Sequence, residues 1–589
     1  MAAHHFGSDL KDNDIFISST FRKFLLPTIL SLLGGTICNF TDSIIVGNLM
    51  GAKGLAAMGV CTPVFFIYTT LGSLLGVGGA TLASVRVGKD DTAGVNRLFT
   101  LSLCLILFVG LAFSALCFFG LEPLLTLLGA KGEIRDLARQ YCLYYLPGAW
   151  TTMLLYIPLN FFRITGKPNM GAWMFGIMAV SNIALSLFFM LTLKMGIAGV
   201  ALGTVLGTSL ALLFSLKGFF SKTSPLRLRP FGSELRNLPA LLVTGSPMAL
   251  SNLLNVLRTL FFNRLLLLLL GSGGITIFAV LTNVNTFSLA ILSGVSQTLV
   301  PLTGVFFGER DTQSIRRVME TAIRWGMLLA GVFALALSLC WKPVCLIFGL
   351  NTPELFPEAR FALIMFAVSL LPAMLSNLYQ FHFMTIRRVW LANLISISRS
   401  FALPALLSLM VSAFNIHGVW LGFPLGEALT LPLIFLCTGI YSRKKALSSP
   451  LLLDESARKS GKSIAFSVAT NVDAIMDASQ KISDFCSQNQ LDPKRSMLIS
   501  LSIEELLISI IDHVFPDKPD GSMDVRIFVT GEEAILRIRN GGTEFDPIRF
   551  FETHPDDIEM SLGIQMITSS AKDVRYTRTL GVNNLSVLV

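Results

Sequence analysis

Charge is scarce in this chain. Asp, Glu, Lys and Arg make up only 14% of its 589 residues while 53% are hydrophobic, and mean hydropathy is +0.67. A water-soluble globular protein of this length is excluded, because too few charged side chains remain to cover its surface. The nine cysteines include no C-x-x-C pair, which argues against a zinc site or a disulfide framework. No G-x-x-x-x-G-K-[ST] run occurs, so no P-loop pump is indicated. Residues 1–23 are polar and charged and lack the apolar stretch of a cleavable signal.

Long apolar runs take the place of charge. Stretches of about 20 apolar residues, enough for a membrane-spanning helix, occur near 24–48, 55–85, 98–120, 140–162, 169–193, 197–217, 240–270, 275–307, 318–341, 359–385, 390–414 and 418–441. An all-α polytopic membrane protein of twelve helices is therefore expected. Lys and Arg crowd the loops of one side, with Arg86, Lys89, Arg97, Arg310, Arg316 and Arg317 among them, and are sparser on the other. By the positive-inside rule both chain ends face the cytoplasm of a cell-membrane protein.

The first apolar run, 24–50, holds one carboxylate, Asp42. An ionisable group at membrane depth costs roughly 2.5–3.5 kcal/mol on insertion scales, so its presence points to a proton, cation or substrate that uses it. Asn39 lies one helical turn before it in the same run. Arg258 and Arg264 fall in the seventh span, Arg399 in the eleventh and Glu427 in the twelfth. Glu427 is the best second carboxylate. Arg258, with Asn252 and Asn255 at helical spacing, is placed to meet an anionic group or to neutralise an acid across a cavity; an internal salt bridge or a charge snorkelled to the interface is the alternative for each arginine.

The two halves repeat. Pro27 and Pro247, Gly51 and Gly271, and the loops GKDDT (from Gly88) and GERDT (from Gly308) are each separated by the same offset. IAGVALGTVLG from Ile197 likewise matches IHGVWLGFPLG from Ile416. Two six-helix lobes, 24–217 and 240–441, joined by a loop at 218–239, follow as a parallel repeat. The glycines at four-residue spacing in those motifs line one helix face and are assigned to close packing.

At this point the chain resembles the multidrug and toxic compound extrusion (MATE) transporters. The matching pieces are NFTDSIIVG around Asp42, LNFFRITGKPNMG from Leu159, SNIALS from Ser181 and LSGVSQTLVPLTGVFFGERD from Leu292. The resemblance implies two six-helix lobes that export organic cations or related compounds in exchange for protons or sodium. Much of that family carries an acid four residues after Asn182, where this chain has Ser186. The coupling site implied here is Asp42 with Asn182 and Thr204 as neutral partners.

After Tyr441 the composition changes. A linker at 442–462 leads to a tail at 463–589; from Leu451 onward the chain carries 14 Lys and Arg against 21 Asp and Glu. An acidic module below a basic membrane face suggests docking on the basic loops between helices six and seven or eight and nine. Alternating apolar positions suggest strands at 464–469, 524–530, 534–539, 573–579 and 585–589. With helices at 471–488, 495–515 and 562–570 they suggest an α+β sandwich with one mixed sheet. This order resembles the GHKL-type ATPase domain of anti-sigma-factor serine kinases, with Glu505, Ser509 and His513 on its E-x-x-x-N-x-x-x-H helix, Asn540, Gly542 and Phe545 on its D-x-G-x-G-F loop, and Gly563 on its lid. The departures fall on the groups that bind nucleotide: Ser509 replaces the magnesium-holding Asn, Asn540 the adenine-reading Asp, Glu544 and Ser561 two glycines. A degenerate module without ATP or metal is expected, regulatory or bound to a cytoplasmic protein.

The function expected is ion-driven antiport of small organic molecules, cationic or amphipathic, by alternating access, with no catalytic residues, no cofactor beyond the proton or sodium, the bilayer as environment and no nucleic-acid partner. A membrane sensor whose tail captures a protein, and a flippase for a lipid-linked precursor, are the alternatives.

Overall fold

The computed structural model describes residues 9–219, 221, 224–454, 463–516, 522–530, 533–553 and 558–589. Among these, nine helical stretches are long and apolar enough to cross a membrane. Two are double length. Asp9–Val87 runs for 79 residues with Gly51 at φ 66°, ψ −156°, and Leu238–Gly308 for 71 residues with Gly271 at φ 65°, ψ −152°. That backbone region is open essentially to glycine alone. The chain folds back at each: a Cβ on Gly54 would lie 2.8 Å from Val46, and one on Gly274 would lie 3.2 Å from the Leu266 carbonyl. Residues eight apart in a straight helix are about 12 Å apart. Each stretch is thus two spans joined by a sharp reversal, at the glycines that the repeat pairs.

The fourth expected span is not one helix. It is assembled from Gly132–Tyr145, Leu146–Gly148, Trp150–Leu154 and Tyr156–Ile164, with Pro147 at the first break, where its missing N–H cannot continue the ladder. The first helix begins at Asp9, before the expected start, and buries Ile17 and Phe21. The fifth and eleventh spans each contain a π-helical turn, Phe188–Thr192 and Ser398–Ala402.

Glycine stripes set the helix spacing inside each lobe. Gly199, Gly203 and Gly207 lie against Phe189, Ser186 and Asn182; Gly418, Gly422 and Gly426 lie against Val411, Ser408 and Pro404. Between the lobes, Gly88 abuts the Val305 carbonyl and Gly308 abuts the Val85 carbonyl, so the pseudo-equivalent loop glycines press on each other's helices. One hydrophobic core there draws Phe21, Phe24 and Val77 from the first lobe and Leu299, Phe306 and Val318 from the second. The loop between lobes is held to the first: Arg227 and Arg229 N–H groups donate to Asn96 Oδ1 (2.8 Å) and Thr100 Oγ1 (3.0 Å).

The tail is a five-stranded sheet, β1 (Ser463–Ala469), β2 (Ser522–Thr530), β3 (Glu533–Asn540), β4 (Asp573–Thr579) and β5 (Val582–Leu588), in the order β1-β2-β3-β5-β4. All four strand pairings are antiparallel. The expectation of a mixed sheet is thereby corrected. β2 with β3 and β4 with β5 pair as successive antiparallel strands, which need no crossover. A short helix, Pro547–Thr553, is not among the expected elements.

Period-two alternation gives the sheet two faces. Met523, Val525, Ile527, Leu536 and Ile538 pack under helices Val472–Gln488 and Pro493–Val514. Asp524, Arg526, Arg537 and Arg539 occupy the intervening positions and turn to the membrane lobes. Leu580, Val582 and Leu451–Leu453 complete the core shared by the lobes. The membrane part is thus closed at the end that carries the tail.

Candidate functional site

A cavity of about 880 Å³ lies between the lobes, near the Gly51 and Gly271 reversals and away from the tail. The first half contributes Asp42, Tyr145 and Thr204; the second contributes Asn255, Arg258 and Asn285. Asn39 also borders it. Toward the tail, Arg163 of the first lobe donates from Nη1 to Gln297 Oε1 of the second at 2.5 Å, both residues being buried.

Asp42 is 5% exposed. Its Oδ2 accepts from Thr204 Oγ1 at 3.0 Å and from Asn182 Nδ2 at 3.4 Å, and Asn182 Nδ2 also reaches Thr204 Oγ1 at 3.1 Å. Gly203 and Gly207 bring Thr204 alongside Asn182, since any side chain there would strike Ser186 or Asn182. Thr204 has one hydroxyl proton for two acceptors, Asp42 and the Val200 carbonyl (3.0 Å). Asp42 Oδ1, Asn182 Oδ1 and Ser186 Oγ are buried without a partner among the described residues. Unsatisfied oxygens around one carboxylate form an acceptor-rich site suited to a proton or a hard cation. The expected trio Asp42, Asn182 and Thr204 is therefore brought together, while Asn39 stands apart from it on the cavity wall.

In the second lobe a smaller cavity of about 200 Å³ holds Arg399 and Glu427. Arg399 Nε lies 3.3 Å from both Glu427 oxygens, Nη2 lies 3.2 Å from Oε1, and Nη1 donates to Asn377 Oδ1 at 2.9 Å. The π turn carries Arg399 into this contact, a common use of such turns. Glu427 is thus the counter-ion of Arg399. Arg258 borders both cavities, and Arg264 is exposed.

The tail meets the lobes through buried charge. Arg526 pairs with Asp311; Arg539 pairs with Glu309 and reaches Asp311 at 3.2 Å; Arg537 lies 3.2 Å from Glu309. Arg539 also lies over the Phe306 ring, 5.1 Å from its centre. Burial, then Arg539 and Arg537, pull the Arg526 pKa down to about 9 against the opposing pull of Glu309. Burial pushes the Asp90 carboxyl up, opposed by Arg537 and Arg575. From the first lobe Gly166 backs onto Leu580 and Gly581, and Lys23 Nζ would sit 3.2 Å from a Cβ on Gly581. The expected polarity of docking is reversed here. An acidic domain meets acidic loop residues with a basic face, because net charge does not describe one sheet face.

Several nucleotide-type residues of the tail are engaged with their own neighbours. Ser509 is buried, and its Oγ has no hydrogen-bond partner among the described residues. Asn540 Oδ1 already accepts from Asn583 Nδ2 (2.8 Å) and Gly542 N (3.3 Å), and Arg578 Nη2 donates to the Gly542 carbonyl (3.3 Å). His513 stacks on Phe545, with ring centres 4.7 Å apart, and meets Phe550 edge-on. Glu505 is half-buried on helix Pro493–Val514. The backbone at Ser561 and Gly563 is helical, and their side chains lie outside the described residues.

Sequence reasoning did not single out Arg163, Gln297, Glu309, Asp311 or the three tail arginines as site residues. Signals for them exist: Arg526, Arg537 and Arg539 alternate with apolar residues in strands, and Asp311 falls in the repeated G-x-x-D-T loop.

Two pseudo-symmetric helical lobes around a shared cavity, with an ion-type carboxylate on one wall, define a multi-pass membrane transporter. The MatE family model matches residues 27–188 and 247–410, and the chain belongs to that family. A histidine kinase-like ATPase domain model matches 468–588. The multidrug export protein MepA of Staphylococcus saprophyticus is 25% identical over 56% of this chain and 73% of its own. The FAD transporter of Shewanella oneidensis is 24% identical over 58% of this chain and 77% of its own. Among solved structures, an outward-facing multidrug resistance MATE family transporter superposes with a TM-score of 0.69 at 23% identity, covering 72% of this chain and 96% of its own. A mutant of the Vibrio cholerae MATE transporter VcmN gives 0.69 at 21% identity, covering 74% of this chain and 99% of its own.

Proposed function

We propose that this protein is a cell-membrane antiporter that exports small organic molecules in exchange for protons or sodium, with both chain ends in the cytoplasm. The observation that carries the reading is Asp42: a buried carboxylate with one oxygen unsatisfied among the described residues, bordering a cavity built from both lobes, which Arg163 and Gln297 also join by a buried hydrogen bond. A carboxylate that alternately holds an ion and releases it to favour substrate is the minimum device for exchange. Glu427, already neutralised by Arg399, serves the architecture of the second lobe rather than coupling. MepA relatives named as multidrug exporters support the direction of transport. The test is purified protein in liposomes with an imposed proton or sodium gradient and a fluorescent organic cation as cargo. Gradient-dependent flux is expected; flux indifferent to both gradients overturns the reading.

The tail is proposed to regulate this cycle without binding nucleotide. It touches the first lobe at Gly166 and Lys23 and the second at Glu309 and Asp311, so it favours the state closed at that end. Rocking the lobes apart there would break buried ion pairs, so tail release is linked to opening toward the cytoplasm. The sensor reading, in which tail capture is the output, draws on the same contacts and differs by predicting no flux.

A further inference from the structure

Arg399 and Glu427 pair at 3.2–3.3 Å, while Arg258 feels both of them at longer range and has no hydrogen bond or ion pair of its own among the described residues. Arg258 borders both the 880 Å³ interlobe cavity and the 200 Å³ cavity of the second lobe. A guanidinium is always charged and offers five N–H donors, and Arg258 is half-buried at the edge of both cavities. Its neighbours on the cavity wall are amides, Asn252, Asn255 and Asn285. Of these, Asn252 donates to Ser73 Oγ at 3.3 Å, so Asn255 and Asn285 remain as further donors. The opposite wall holds the single carboxylate, Asp42.

We propose that Arg258, with Asn255 and Asn285, is the binding site for an oxyanion group of the transported molecule, and that substrates are amphoteric organic compounds. The oxyanion end, carboxylate or phosphate, lies on Arg258, and the cationic or apolar remainder extends toward Asp42 and the aromatic wall that Tyr145 contributes. A planar guanidinium takes either oxyanion through two parallel hydrogen bonds, which a point charge does not reproduce. A wholly cationic molecule would instead set its charge near an arginine that shares the field of Glu427 with Arg399. The inference deepens the exporter reading, yet it concerns binding and stands apart from flux.

Rhodamine 110, which carries a free carboxylate, and rhodamine 123, its methyl ester, isolate the oxyanion. Fluorescence anisotropy with the full-length protein in detergent should show the acid binding about tenfold to a hundredfold more tightly than the ester, the range for a hydrogen bond to a charged group. Arg258→Gln should erase that difference while leaving ester binding within about threefold, and Arg258→Lys should restore part of it. Competition by benzoate against phenyl phosphate identifies which oxyanion the site prefers. Equal binding of acid and ester by the unaltered protein overturns the proposal without any variant. So does an Arg258→Gln protein that still prefers the acid. Selective binding of the acid with no gradient-driven flux would sustain this site and overturn the antiporter reading.

Discussion

Arg526 of the tail sheet and Asp311 of the second lobe form an ion pair whose side chains are only 6% and 0% exposed. Asp311 has a second duty: its Oδ1 accepts from Ser314 N at 2.9 Å and caps helix Thr312–Leu339, as Asp91 caps helix Thr92–Phe119 in the first lobe. The repeat supplied a capping aspartate at both positions, and the tail has taken one of them as its anchor.

Breaking a buried pair from one side leaves the other charge stranded, at a cost of about 3–5 kcal/mol. Arg526→Gln combined with Arg539→Gln and Arg537→Gln removes the tail's side and leaves the cap intact. The tail should then separate from the lobes, with hydrogen exchange rising along β2 and β3 and transport becoming faster or less regulated. Unchanged exchange would show that the apolar contacts of Leu451–Leu453, Leu580 and Val582 suffice to hold it.

Asp42→Asn keeps the size of the side chain and its contact with Thr204 while removing the titratable charge. Ion-coupled flux should fall by two orders of magnitude or more, with expression and thermal stability close to the parent. Full gradient-dependent flux in that variant would remove Asp42 from the coupling step.

The membrane fold was legible because its determinants are local or repeated. Gly51 and Gly271 mark the two chain reversals, and the glycine stripes mark the tight helix pairs. Asp42 announced itself by being costly where it stands. The broken fourth span was not legible, since 140–162 is as apolar as its neighbours and only Pro147 hints at the break. Contacts such as Arg163 with Gln297 join residues whose individual sequence surroundings carry no trace of the partner. The polarity of tail docking was misread because a net charge averages over faces that a strand separates residue by residue.

Glu427→Gln should destabilise the protein by about 3–5 kcal/mol, because it leaves Arg399 buried with a neutral partner. Glu427→Gln with Arg399→Gln should cost less than the single change. A thermal-shift cycle over the four proteins reads this coupling. Additive effects would mean that the pair is too hydrated to matter.

Glu234 ties the interlobe connector to the first lobe, taking Arg86 at 2.8 Å on each oxygen and Arg97 at 3.2 Å. Burial pushes its carboxyl up, but Arg86, Asn237 and Arg97 together outweigh that and hold it below the usual value of 4.5. A depressed acid contributes stability that is present above the unfolded pKa and is lost as pH falls through the folded one. The thermal midpoint should therefore drop below pH 4.5 less steeply in Glu234→Gln than in the parent. Parallel curves would exclude Glu234 from that acid sensitivity.

The tail's nucleotide chemistry gives the last expectation. Ser509 offers no amide oxygen to a metal, Asn540 has its Oδ1 committed to Asn583 and Gly542, and the His513, Phe545 and Phe550 rings pack on one another. Binding of MgATP would have to displace these contacts and would gain fewer metal and adenine contacts in return. Calorimetric titration of the full-length protein with MgATP should show nothing tighter than the millimolar range, about −4 kcal/mol. Ser509→Asn alone should not rescue binding, because the Asn540–Asn583 contact still blocks the adenine-reading position. Adding Asn540→Asp removes the amide at 540 and sets a carboxylate against Asn583 Nδ2, which keeps that donor satisfied and leaves one oxygen for an amino group. Of the two variants, only the double one should bind measurably more tightly than the unaltered chain. Micromolar binding by the unaltered chain would show instead that the ring cluster and the asparagine pair open readily, and would return an ATP-dependent role to the tail.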